Sequence, residues 1–282
     1  LERLTFFLES TDIFQFGKTM AFRAGSPSIF YSRRIGRNPR GSITYNSEYE
    51  DYPSQTKIIS ALKFSGKTNS GLSVGILDAI TAKENAKYRD STNTETFQAV
   101  EPFANSLVLR LKQDLKDGKI IFGGFLTNKQ QVLNTNYLRS SFVSKANVMG
   151  VDFEYALPDP AWIVSGYTAT STLLGTEKII SEIQRNSAHY FQRPDDKIAL
   201  DTTKTQLDGT SSELSLTKIS GKNIKGSFTY RKISPGYDIN ELGYIRSANT
   251  KQLKSYIEYE DFVPKKYWQL LSFSFGLSLI HI

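Results

Sequence analysis

The chain has 282 residues, 12% of them aromatic (18 Phe, 15 Tyr and 2 Trp), and a formal net charge of +7. It has no cysteine, which excludes disulfides and thiolate metal sites, and no window approaches the ~18 consecutive apolar residues of a membrane-spanning helix. Lys and Arg are scattered along the chain and form no single stripe, which reads as a solvated surface and argues against a nucleic-acid partner.

The sequence begins at Leu1 with no initiator Met, basic n-region or apolar h-region, so a secretion signal is expected upstream. Residues 1–27 read as a lead-in or plug-like segment, and SIFYSRRI at 28–35 reads as a first outward strand. Ten segments follow, at 57–66, 70–82, 98–114, 119–127, 147–157, 161–172, 211–219, 223–233, 250–262 and 267–280. Their shared signal is period two, because successive side chains of a strand point to opposite faces. In the last, Leu271, Phe273, Phe275, Leu277 and Leu279 alternate with Ser272, Ser274, Gly276 and Ser278. Val151, Phe153, Tyr155 and Leu157 alternate in the same way with Gly150, Asp152, Glu154 and Ala156. The chain stops at Ile282 inside such an alternation, and both ends read as truncations.

The connections carry as much information as the strands. Short turns at GKTN, KDG, PDP, GKN and PKK alternate with long stretches at 83–97, 128–146, 173–210 and 234–249. An antiparallel meander of this parity gathers its long loops at one end, as outer-membrane barrels do. The expected fold is therefore all-β: an antiparallel up-and-down transmembrane β-barrel over 28–282, incomplete, with about eleven strands. Apolar side chains would face outer-membrane lipid, and Tyr155, Trp162, Tyr244, Tyr267 and Trp268 are expected near strand ends as an aromatic girdle.

Several strings in order, FFLES, FYSRRIG, SGKTNSGLSVGILDAITAKE, EPFANSLVLRLKQD, AHYFQRPD and SPGYDINELGYIR, resemble the domain of unknown function numbered 5916, DUF5916. The resemblance covers nearly the whole chain. It implies an outer-membrane barrel that follows a family 9 carbohydrate-binding-like module, and an association with polysaccharide-related proteins. That module lies outside this sequence, so carbohydrate binding is assigned to no residue, and polysaccharide or oligosaccharide stands only as an associated partner.

Chemistry-bearing motifs are few. GLSVG at 71–75 has the G-x-S-x-G form of a nucleophile elbow, but Ser73 sits in a continuing strand, and the two histidines leave only His189 as a base. No calcium loop is present, and the acidic runs Glu48, Glu50, Asp51 and Glu258, Glu260, Asp261 read as solvated. No catalytic residue, metal or cofactor is assigned. The remaining candidates are lumen-lining or loop-anchoring: Arg33, Arg34, Asp78, Glu101, Arg110, Arg185, Tyr190, Gln192, Arg193 and Asp195. Asp78 and Arg110 are expected to point into the lumen, since a cation facing lipid at the midplane costs about 2–4 kcal/mol. The SAHYFQRPD core of the 173–210 stretch suits either sugar contact or anchoring of the loop into the barrel mouth, and the stretch would narrow the pore if it folds inward.

The resulting reading is a membrane anchor or conduit of a polysaccharide-handling protein. Two alternatives stay open: glycoside hydrolysis located in the loops or outside this sequence, and a soluble secreted β-sandwich or propeller that binds carbohydrate.

Overall fold

The period-two segments all become strands in the computed structural model, which describes residues 11–17, 28–45, 47, 49–90, 92–159, 161–193, 198–221 and 223–281. In chain order the strands are β1 (Glu50–Asp51), β2 (Ile58–Lys67), β3 (Leu72–Thr81), β4 (Glu84–Arg89), β5 (Glu95–Glu101), β6 (Phe103–Leu115), β7 (Ile120–Val132), β8 (Lys145–Ala156), β9 (Trp162–Leu174), β10 (Gln206–Lys218), β11 (Ile224–Ile233), β12 (Thr250–Asp261) and β13 (Leu271–His281). Helix α1 (Asn136–Ser141) lies between β7 and β8, and α2 (Glu177–Arg185) between β9 and β10.

Ten strands form one antiparallel sheet in the order β2-β3-β6-β7-β8-β9-β10-β11-β12-β13. Strands of 10–13 residues match the roughly 9–11 tilted residues that cross a bilayer. Among the described residues β2 and β13 are the two edges and do not pair with each other.

The alternation of connections holds. Turns 68–71, 116–119, 157–161, 219–223 and 262–270 lie at one end of the sheet, and 82–102, 133–144, 175–205 and 234–249 at the other. The first long stretch is not a plain loop: β4 and β5 continue the β3/β6 hairpin and form a separate three-stranded sheet with β1. The break falls at Pro102, which has no N–H to donate to a ladder.

Residues 28–35 correct the expectation of an eleventh strand. Ser28 makes one isolated bridge, to Tyr244, and Ser32–Arg34 form a 3-10 turn. Ile29 and Ile35 are both buried, so the segment turns its apolar residues into the core instead of pairing its backbone along an edge.

The sheet has two unlike faces. On the outer face Leu62, Leu111, Val151, Leu214, Ile257 and Phe275 are all more than half exposed. The inner face is covered by residues 11–17, 28–45 and 234–249. A single core joins Phe14, Phe16, Ile29, Ile35, Tyr237, Ile239, Leu242 and Ile245 of this inner layer to Leu77 and Ala79 of β3, Val108 of β6, Phe125 of β7, Val148 of β8, Tyr167 and Ala169 of β9, and Ile233 of β11. The layer sits close: a Cβ at Gly209 of β10 would lie 2.0 Å from the Tyr237 nitrogen, so only glycine allows that approach. A second cluster packs Ile179 and Ile180 of α2 and Phe191 against Ala146, Leu173 and Leu207 at the long-loop end.

Candidate functional site

Three charged assemblies tie the inner layer to the sheet. The first centres on Arg40, whose Nε and Nη2 reach Glu101 of β5, with Nη2 at 3.0 Å from Oε1, while the Arg40 backbone N–H donates to Glu101 Oε2 at 3.0 Å. Arg40 Nη1 donates to Glu241 Oε1 at 2.6 Å, and Nη2 also donates to Gln131 Oε1 of β7 at 2.8 Å. Lys129 of β7 donates to Glu241 Oε2 at 2.9 Å, and Arg37 approaches the same oxygen at 3.8 Å. The Arg40 guanidinium also lies over the Phe142 ring at 4.7 Å. One clasp thus joins 28–45, the β5 end, β7, the α1 loop and 234–249.

Electrostatics follow the geometry. Burial alone would raise the Glu241 carboxyl, but Arg40, Lys129 and Arg37 outweigh it and hold the group far below the ordinary carboxylate range. Burial pushes the Arg40 guanidinium down, yet Glu241 and Glu101 raise it above its ordinary value. Arg37, buried beside Arg40, is pushed down to about 10.

The second assembly lies deeper in the wall. Arg110 of β6 reaches across β7 to Asp152 of β8 in a fork, Nη1 to Oδ1 at 2.7 Å and Nη2 to Oδ2 at 2.8 Å. Gly123 of β7 makes the crossing possible, since a Cβ there would lie 2.6 Å from Arg110 Nη1. The Gly17 N–H donates to Asp152 Oδ2 at 3.0 Å, and Arg110 lies over the Phe16 ring at 5.7 Å. Beside it a cavity of about 280 Å³ is lined by Asp12, Gln15, Lys112 and Glu154, among others.

The third assembly joins two long loops. His189 is fully buried, with Nδ1 2.7 Å from the Pro235 carbonyl and Nε2 2.9 Å from Asp238 Oδ2. Tyr190, at φ +42, reverses the chain so that His189 and Phe191 on either side of it both turn inward.

The structure brings some of the expected site residues together and leaves others apart. Glu101 and Arg110 are buried in the first two assemblies. Arg34 donates to the Gly243 carbonyl at 3.0 Å and lies over the Tyr244 ring. Tyr244 therefore belongs to the inner layer and not to an outer aromatic girdle. Arg33, Arg185, Tyr190 and Gln192 are exposed, Arg193 is half-buried, and Asp195 and Glu48 lie outside the described residues. Asp78, expected inside, is on the outer face: it pairs with Leu62 and Leu107 and accepts from Asn105 at 2.8 Å. Its place at the long-loop end of β3, in line with outer-face Asn128, Asn147 and Asp208, is where polar outer residues belong.

Ser73 is buried at the start of β3, which continues as strand to Thr81, and both nitrogens of His189 are engaged elsewhere, so the elbow reading has no base. Among the described residues no group of three His, Cys, Asp or Glu is placed to hold a metal ion. Among the described residues no helix is long and apolar enough to cross a membrane. Arg37, Arg40, Lys129 and Glu241 were not singled out by sequence. The available signal was apolar residues without strand period at 29–35, followed by Arg37 and Arg40, and at 237–245, which contains Glu241; Lys129 carried none.

The family model described as Domain of unknown function (DUF5916) matches residues 1–281. No curated protein matches the chain. Among solved structures, the chain is similar to the outer membrane channel DcaP of Acinetobacter baumannii, at 13% identity and a TM-score of 0.38, over 90% of this chain and 63% of that one. The chain thus spans less than two thirds of that channel's length.

Proposed function

We propose that this chain, which belongs to the family of domains of unknown function DUF5916, is the wall of an outer-membrane β-barrel with an inner plug. It would serve as anchor or conduit for a polysaccharide-handling assembly. The observation that carries the membrane reading is the outer face, where apolar side chains are exposed from β2 to β13. Soluble monomers rarely expose contiguous apolar patches beyond a few hundred Å². The outer face turns polar at the long-loop end, at Asp78, Asn128, Asn147 and Asp208, which sets one boundary of an apolar band. Near the other end lie Tyr155, Trp162 and Tyr259 on the same face.

The inner layer is the plug in this reading, and the clasp and the Arg110–Asp152 fork are its fastenings. The conduit role draws on the inner wall of β10 to β12, which carries Glu213 paired with Arg231, Lys225 with Glu260, and Tyr256 with Glu258. Mixed charges and hydroxyls suit a hydrophilic solute, and a saccharide is the class that the family resemblance suggests.

The test is made on the intact protein: cell fractionation, then a detergent gel of the outer-membrane fraction with and without boiling. The expected result is a band in that fraction that shifts on boiling, because a closed barrel resists cold detergent. A soluble protein with no shift would sink the reading. Depth is tested by substitution. Val151→Arg, in the middle of the band, is expected to cost about 2–4 kcal/mol in bilayer unfolding, and Asn147→Arg, at the polar rim, about 0–1 kcal/mol. Equal costs at both positions would place water, not lipid, against this face.

A further inference from the structure

We infer that His189 and Asp238 form a proton-dependent latch that holds the α2 segment (residues 175–193) shut against the 234–249 loop. The inference rests on hydrogen-bond accounting and does not depend on the membrane reading.

Both partners of the ring are pure acceptors. The Pro235 carbonyl cannot donate, and Asp238 as a carboxylate cannot either. Imidazolium has two N–H donors and satisfies both, whereas neutral imidazole has one N–H and one lone pair. With the ring deprotonated, one nitrogen would present a lone pair to an oxygen at 2.7 or 2.9 Å. The side chain is fully buried, so water is not at hand to replace the lost bond.

The arrangement cannot easily swivel out of this conflict. Asp238 is pinned on its other oxygen by the Asn240 N–H at 2.7 Å, and its own N–H donates to Ser171 of β9 at 2.9 Å. On the other loop, Asn186 Oδ1 accepts from the Ala188 and His189 N–H groups, which sets the ring's direction. A second link between the loops, from the Ala248 N–H to the Ala188 carbonyl at 2.7 Å, sits beside the first. The titratable neighbour of Asp238 is the Tyr237 phenol. Burial, then Tyr167 and Asp238, push that phenol well above its ordinary range, so it stays neutral wherever histidine titrates.

The sign is therefore defined. The latch contributes while the ring carries both N–H donors and is lost when one of them is removed at higher pH. Opening would lift α2 and Phe191 from the cluster at the long-loop end.

The chain has no cysteine, so two introduced ones can be spin-labelled without background. Exposed positions are available on both loops, Ser187→Cys and Arg246→Cys. Inter-label distances in the intact protein are read by pulsed electron resonance at pH 5 and pH 9. The expected result is a single short distance at pH 5 and an at least five-fold larger separated population at pH 9. His189→Gln should be separated at both values. Asp238→Asn is the discriminating variant: its amide donates to a neutral Nε2 while Nδ1–H keeps Pro235, so it should stay closed at both. An unchanged wild-type distribution between pH 5 and pH 9 overturns the latch, and so does an Asp238→Asn protein that keeps the wild-type pH response. The wild-type comparison needs no ring or carboxylate variant, so misfolding of either leaves the test intact.

Discussion

Replacing Glu241 with alanine is expected to loosen the inner layer by about 3–5 kcal/mol, the range for removing one partner of a buried ionic assembly. Glu241 alone takes the Arg40 guanidinium on one oxygen and Lys129 on the other, with Arg37 at 3.8 Å. Without it Arg40 keeps Glu101 and Gln131, while Lys129 and Arg37 lose the carboxylate they face. The loss should appear as a lower denaturation midpoint, with residues 28–45 and 234–249 losing exchange protection together, because both segments meet at this carboxylate. Unchanged protection in 28–45 would mean that the clasp does not couple them. The pH response has a definite sign. The carboxyl is held far below its ordinary range, so its contribution is fully present above the unfolded value of about 4.3 and is lost progressively as pH falls from there toward the folded value. The denaturation midpoint at pH 4 should therefore differ little on this account from that at pH 7, and an early acid loss mapping to 234–249 would contradict the assignment.

The two kinds of contact in this fold left unequal traces in the sequence. Strand pairing is local in its signature. Leu271 to Leu279 alternate residue by residue, and β13 appears where that alternation runs. The inner layer has no such signature, because its contacts join residues some two hundred positions apart, as Arg40 and Glu241 do. Its presence also corrupts the alternation where it packs. In β3 the inner face carries Leu77 and Ala79 against the inner layer while the outer face carries Val74 and Ile76, so both faces are apolar and Asp78 had no clear side. Turning every charge inward then misplaced it, because Asp78 lies toward the long-loop end of β3, where the outer face is polar. In 28–35 the aromatic and β-branched content favoured a strand, but Ile29 and Ile35 were apolar for the sake of a core that only the folded chain creates. Arg110 is buried on the inner face of the sheet. Its partner Asp152 is legible only once β6, β7 and β8 are aligned and Gly123 is seen to clear the path between them.

That fork separates a brace from a solute contact. Arg110→Leu is expected to cost about 3–5 kcal/mol, because among the described residues Asp152 then keeps the Gly17 N–H as its one hydrogen-bond partner. Replacing both, Arg110→Leu with Asp152→Val, removes the stranded charge together with its partner, and exchanges of this kind are often neutral or stabilising by about 1–4 kcal/mol. The double variant should therefore unfold at or above the wild-type denaturant midpoint, while the single variant falls well below it. If the fork only fastens residues 11–17 to the wall, conductance of the reconstituted double variant also stays at the wild-type value, because Phe16 still packs on Phe125 and Tyr167. A double variant that is stable but altered in solute selectivity would give the pair, and the 280 Å³ cavity beside it, a place on the solute's route. A double variant as unstable as the single one would show that the Asp152 bond to Gly17, and not the ion pair, holds the plug at this point.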